Sequence, residues 1–183
     1  VSADLKLYGT ANFDETLGIF RRINIDRLAF GRTDIKGAVI AHSGDAWEIG
    51  FHGNEFDFSA LWDEFIGDKE ESFKKSLPEL TVAVELDRVW LSETEYIKNC
   101  SGTFKYNGNF WQTILLKGEL NNGGYLQITM KPDSTGNRNI QMEAYNAGLI
   151  LKYLDYYNGM KGGKLWLAGN FDDSVPDRPL TAQ

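Results

Sequence analysis

The stretch Leu80–Leu91 most restricts the fold. Leu80, Val82, Val84 and Leu86 alternate with polar or small residues, and then the apolar set steps by three to Val89 and Leu91. A period of two describes a strand half-buried on one face. A step of three carries the following residues to the other face unless a bulge or bend absorbs the extra one. The same pattern occurs earlier, as Ile23 and Ile25 followed by Leu28 and Phe30. Both three-steps enclose an Asp-Arg pair, Asp26-Arg27 and Asp87-Arg88.

Strands are predicted on either side. Val1–Leu7 alternates weakly, as an edge strand does, and Arg32-Thr33-Asp34 reads as a turn. Ala38–Ala41 and Trp47–Phe51 form a hairpin around the loop His42–Ala46. Tyr96, Cys100, Phe104 and Tyr106 share a face, and Asn107-Gly108 follows as a turn in which both residues tolerate positive φ. Phe110–Gly118 is apolar on both faces, which predicts a strand covered on both sides. Asn121–Gly124 and Pro132–Asn137 are turns flanking Tyr125–Lys131, and Ile140, Met142 and Ala144 complete another hairpin.

Two segments break the period. Asp57–Gly67 carries Leu61, Trp62, Phe65 and Ile66 on one helical side, with Asp57 or Ser59 as cap. The mixed-charge run Asp68–Ser76 and then Pro78 end it. Asn146–Asn170 begins as a second helix with Leu149, Ile150, Tyr153, Leu154 and Tyr157 in its stripe. Gly162-Gly163 then restarts the chain for a strand with Leu165 and Leu167. About nine or ten strands and two helices result.

Parts of the chain match each other. Ile23–Leu28 parallels Val84–Val89, Gly37 parallels Gly102, Trp47 parallels Trp111 and Gly53 parallels Gly118, at offsets of 61 to 65. Such matches mean growth by similar units side by side. The organisation expected is one β-rich domain over 1–183 with two imperfect repeats, about 19–67 and 80–157, and a final strand 164–171. The fold class is mainly β (α+β): a long curved antiparallel sheet of repeated hairpins, with two short helices packed on its apolar face.

Charge and composition exclude several functions. The net charge is −7, and the densest basic pairs are Arg21-Arg22 and Lys74-Lys75, so no nucleic-acid partner is expected. Cys100 is the single cysteine, which excludes an intrachain disulfide and a thiolate zinc cluster. No apolar run approaches the roughly 20 residues of a membrane helix. A catalytic constellation is also missing. His42 and His52 flank a hairpin; pairing His52 with Asp45 or Glu48 as acid and base is matched by the ordinary alternation of polar residues on a strand. Gly123-Gly124 and Gly162-Gly163 lack the strand-glycine-helix context of a phosphate loop. No enzyme activity, cofactor or metal is expected.

The chain resembles the AsmA-like bacterial envelope proteins, the group that includes YhdP and TamB. One block is Ile25–Leu28 leading to Gly31–Gly37; another is Ala46–Ile49 leading to Gly53 and Phe56–Leu61. The third runs Ala147–Leu154, Asn158–Gly163 and Leu165–Gly169. The blocks cover most of Asp26–Asp172 in order. Val1–Phe20 matches weakly, and Asp68–Ser76 is more charged than the usual pattern. The resemblance implies a sheet bent like a taco shell around an apolar interior, in a periplasmic protein held by an inner-membrane anchor lying outside this chain. It also implies carriage of glycerophospholipid towards the outer membrane, without catalysis.

Phospholipid, or another acyl-chain ligand, is therefore the expected partner. The groove candidates are Ile23, Ile25, Val39, Trp47, Ile49, Phe51, Val82, Val84, Leu86, Phe104, Ile114, Leu116, Leu126, Ile128, Met130, Leu149 and Tyr153. The alternative is a structural or interaction module, a β-sandwich whose closed core leaves no ligand channel.

Overall fold

The structure, a computed structural model, describes residues 4–44, 46–59, 78–121, 123–153, 157–175 and 178–182. Their strands are β1 (Lys6–Asp14), β2 (Ile19–Phe30), β3 (Thr33–Ser43), β4 (Ala46–Asp57), β5 (Glu79–Trp90) and β6 (Tyr96–Asn107). There follow β7 (Trp111–Leu120), β8 (Tyr125–Pro132), β9 (Arg138–Tyr145), β10 (Lys164–Phe171) and β11 (Leu180–Ala182). All eleven join one open sheet in chain order. No second sheet closes a sandwich among the described residues.

Alternation and turn residues explain most of these strands, but several boundaries differ from expectation. The sheet begins at Lys6, and the β2–β3 turn is Gly31-Arg32, with Thr33 already in β3. The Asn107-Gly108 turn is longer than two residues. Only Gly108 takes positive φ, at 85°, while Asn107 Oδ1 accepts the Asn109 and Phe110 amides at 3.1 and 2.9 Å. β7 is not covered on both sides, since Leu115 is 41% exposed.

Neighbouring strands are antiparallel except β4 and β5, which run parallel from Ala46↔Glu79 to Asp57↔Trp90. A purely antiparallel run of hairpins is thus interrupted once. Parallel neighbours cannot be joined by a tight turn, and in sequence residues 58–78 lie between the two strands. The expected helix Asp57–Gly67 lies, from residue 60 onward, outside the described residues.

Irregularities occupy similar places on both sides of the parallel pair. Pairing passes from Tyr8↔Arg27 to Gly9↔Ile25, leaving Asp26 over, and from Gly53↔Leu86 to Glu55↔Arg88, leaving Asn54 and Asp87 over. Between β6 and β7 it jumps from Lys98↔Glu119 to Ser101↔Lys117. Gly53 and Gly118 sit opposite such kinks. A Cβ on Gly53 would lie 2.6 Å from the Asp34 carbonyl oxygen and 2.7 Å from Ile35 Cα, and one on Gly118 would strike Ile97 Cγ2. The bulges absorb the three-steps, so Leu28 and Val89 stay on the face of Ile25 and Leu86.

One helix is described, α1 (Ala147–Tyr153). Seven residues are too few to hold a helix by propensity alone. Asn146 caps it, its Oδ1 accepting the Leu149 amide at 3.3 Å. The carbonyl of Gly163 accepts the Asn146 and Ala147 amides at 2.7 and 3.0 Å. Gly162 and Gly163 take φ of 67° and 85° to bring it there. Tyr157, expected in the helical stripe, lies beyond α1 and is 58% exposed. Leu149 and Ile150 belong to the main buried cluster, with Leu86, Ile97, Leu120, Leu126 and Ala144.

Candidate functional site

Strand pairing converts separate alternating patterns into rows that cross the sheet. One row on the apolar face reads Ile25, Ala38, Phe51, Val84, Gly102, Leu116, Ile128, Met142 and Leu167. The neighbouring row reads Ile23, Ile40, Ile49, Val82, Phe104, Ile114, Met130 and Ile140. Every member but Gly102 is apolar, and the Phe104 ring leans over that glycine, within 2.8 Å of where its Cβ would be. Nine strands at about 4.8 Å spacing make a lane roughly 38 Å long.

Burial varies across this face. A third row holds Leu28, Ile35, Gly53, Leu86 and Cys100, and continues beyond the β6–β7 jump as Gly118, Leu126, Ala144 and Leu165. Ile35, Leu86, Cys100, Leu126 and Ala144 in it are all buried. In the outer row Ile23, Ile49, Val82, Phe104 and Ile114 are only half-buried, although Met130 is buried. Burial on this face thus falls from the third row to the outer one.

Fourteen of the predicted groove residues stand on this face: thirteen in the three rows, and Trp47 beyond them, paired with His42 and Leu80. Val39 does not. It pairs with Asn24 and Gly50, one residue out of phase with Ala38 and Phe51, and so lies on the opposite face. Leu149 and Tyr153 belong to α1: Leu149 joins the buried cluster and Tyr153 ends the helix. Ala38, Ile40, Ile140, Met142 and Leu167 complete the lanes but were not among the predicted residues. Their alternation was readable; which lane each joined required the register.

The opposite face carries a shallow hollow of about 760 Å³. Its lining includes the flanking rows Val39–Gly50–Ala83–Thr103–Leu115–Thr129 and His52–Glu85–Ser101–Lys117–Gln127. The lining also takes in Phe51, Val84, Gly102, Leu116 and Ile128 of the lane between those rows, whereas Val82, Phe104 and Ile114 take no part in it. Small residues at Gly50, Ala83 and Ser101 leave room there.

Beyond the hollow a charged and aromatic row crosses the polar face. Glu55 accepts from Arg88 Nη1 at 2.8 Å and from Trp90 Nε1 at 2.7 Å. The Arg88 guanidinium lies over Trp90 and Tyr96, at 5.1 and 4.6 Å from the ring centres. Further along, Tyr125 donates to Glu143 at 2.5 Å, and that carboxylate pushes the phenol up to about 12. Opposite charges in register pin the strands.

Among the described residues, no group of three or more His, Cys, Asp and Glu is placed to hold a metal ion. His52 is exposed on the polar face, and His42 packs edge-on against Trp47 at 4.9 Å. Cys100 is 3% exposed, and burial pushes its thiol up to about 11, away from thiolate chemistry. No described helix is long and apolar enough to cross a membrane. Comparisons with protein-family models, curated proteins and solved structures give no match of any kind.

Proposed function

We propose that the chain is a non-enzymatic, lipid-contacting segment of an AsmA-like cell-envelope protein. In this reading it is periplasmic, part of an inner-membrane-anchored protein, and it binds or conducts phospholipid acyl chains towards the outer membrane. One observation carries the reading: two adjacent apolar lanes cross nine and eight strands without a charged residue, and the outer lane is largely half-buried. Their length of roughly 38 Å exceeds the ~15 Å of half a bilayer hydrocarbon core. An acyl chain lying there gains about 0.8 kcal/mol for each CH₂ removed from water. Such a surface needs no catalytic side chain.

The proposed taco-like bend, with its apolar side as the groove, draws support from the line of bulges between Asp26 and Gly118, because bulges increase local bend and twist. A second reading, a structural or interaction module, is favoured by a different observation. The protein's own Leu86, Leu120, Leu126 and Leu149 fill one end of the apolar face.

Native mass spectrometry of gently isolated protein separates the two. The lipid reading expects co-purifying phospholipid, lost in Phe104→Asp on the lane and retained in Thr103→Asp on the opposite face. Lipid-free protein, or lipid unaffected by Phe104→Asp in a chain whose circular dichroism is unchanged, rejects it.

A further inference from the structure

Beyond the outer lane, the next row of the apolar face is aromatic and amphipathic: Trp47, Leu80, Tyr106 and Trp111 pair in turn across β4 to β7. Tyr106 follows Phe104 on β6, and its ring meets Trp111 edge-on at 5.4 Å. Tyr106 is 5% exposed, and its hydroxyl oxygen is buried without a hydrogen-bond partner. A buried Tyr usually finds a partner for its O–H. Leaving such a donor unpaired is costly.

The surroundings limit what can satisfy that donor. Leu80, Phe104 and Trp111 beside it are only half-buried, so a ligand reaches the phenol by moving side chains rather than backbone. Arg138, which donates to the Trp111 carbonyl, is already committed to Asp173. A phosphate would bring an uncompensated charge into this apolar setting, at far greater cost than a neutral carbonyl. A neutral carbonyl with an acyl chain attached is an ester.

We propose that Tyr106 is the polar anchor of the apolar lanes, its hydroxyl donating to an ester carbonyl of a bound glycerophospholipid while the acyl chain continues over Phe104. The inference rests on the lipid reading and adds to it the side of the lanes on which the glycerol esters lie. Trp and Tyr rings suit such a boundary, because one end of each is apolar and the other polar.

Isothermal titration calorimetry of the whole chain with dioctanoyl phosphatidylcholine, and with its dioctyl diether analogue, tests it. The two lipids differ only in their ester carbonyls. The native chain should bind the diester about fivefold more tightly, as one hydrogen bond implies. Tyr106→Phe should bind both lipids alike. Free of lipid, it should melt no lower than the native chain, since it removes an unpaired donor. A native chain that binds neither lipid overturns the lipid reading together with this inference. Three other results overturn this inference alone: a native chain with no ester preference, a variant that keeps the preference, or a variant that melts lower because the hydroxyl already has an internal partner.

Discussion

Arg138 and Asp173 form an ion pair in which both side chains are less than a tenth exposed, with Nη2 2.7 Å from Oδ1. The guanidinium is stacked between Phe110 and Phe171, at 4.3 and 4.1 Å from the ring centres, and it also donates to the Trp111 carbonyl at 3.0 Å. Hydrogen bonds from Arg138 hold the Asp173 carboxyl below its ordinary value of 3.8. The pair ties the start of β9 to the segment after β10.

Asp173→Asn leaves a buried guanidinium without its counter-charge, which costs about 3–5 kcal/mol. The lowered carboxyl also sets a pH dependence. Its contribution is complete above the ordinary carboxylate value and is lost as the pH falls through the lowered folded value. Urea denaturation across the acid range should show a shallower loss of stability in Asp173→Asn than in the native chain.

Gly53 and Gly50 sit three residues apart in β4 with opposite tolerance. A Cβ at Gly53 meets backbone atoms of Asp34 and Ile35 within 2.7 Å, whereas one at Gly50 meets nothing within 4 Å. Gly53→Ala should cost about 1–3 kcal/mol, and Gly50→Ala should be neutral or mildly stabilising. Thermal melts decide, at about 2–4 °C per kcal/mol for a chain of this size.

The burial gradient across the apolar face has its own measure. Leu126 is 5% exposed, so Leu126→Ala should cost about 2–5 kcal/mol. Ile23 is half-buried at the other side, and Ile23→Ala should cost less than half as much. Equal losses in urea titrations would mean that the outer lane is as closed as the inner one.

Cys100 should resist thiol reagents. With its sulfur buried and its pKa raised to about 11, almost no thiolate is present at pH 8. Labelling by a chromogenic disulfide should be slow in the folded chain and fast in denaturant. Rapid native labelling would show that β6 opens locally.

Much of the sheet was legible beforehand because its cause is local. A strand alternates with period two wherever one face is buried, and Asn, Gly and Asp mark the turns. Asp26-Arg27 even announced where the β1–β2 ladder slips. The helix at Asn146 was legible as a pattern but not in length: Tyr157 fits the stripe, yet the chain has left the helix by then. The role of Val39 was misread because the apolar run Ala38–Ile40 has no internal phase. Only pairing with Phe51 and Gly50 assigns one residue to each face.

Sequence alone determined that this chain forms many one-sided strands separated by Asn, Gly and Asp turns. Tertiary structure decided the rest: that β4 and β5 pair in parallel across residues 58–78, that eleven strands make a single sheet, and that the hollow lies on the polar side. The reason is physical. Alternation and turns are set by neighbours in the chain, whereas lanes and concavity depend on hydrogen bonds between strands that no local pattern specifies.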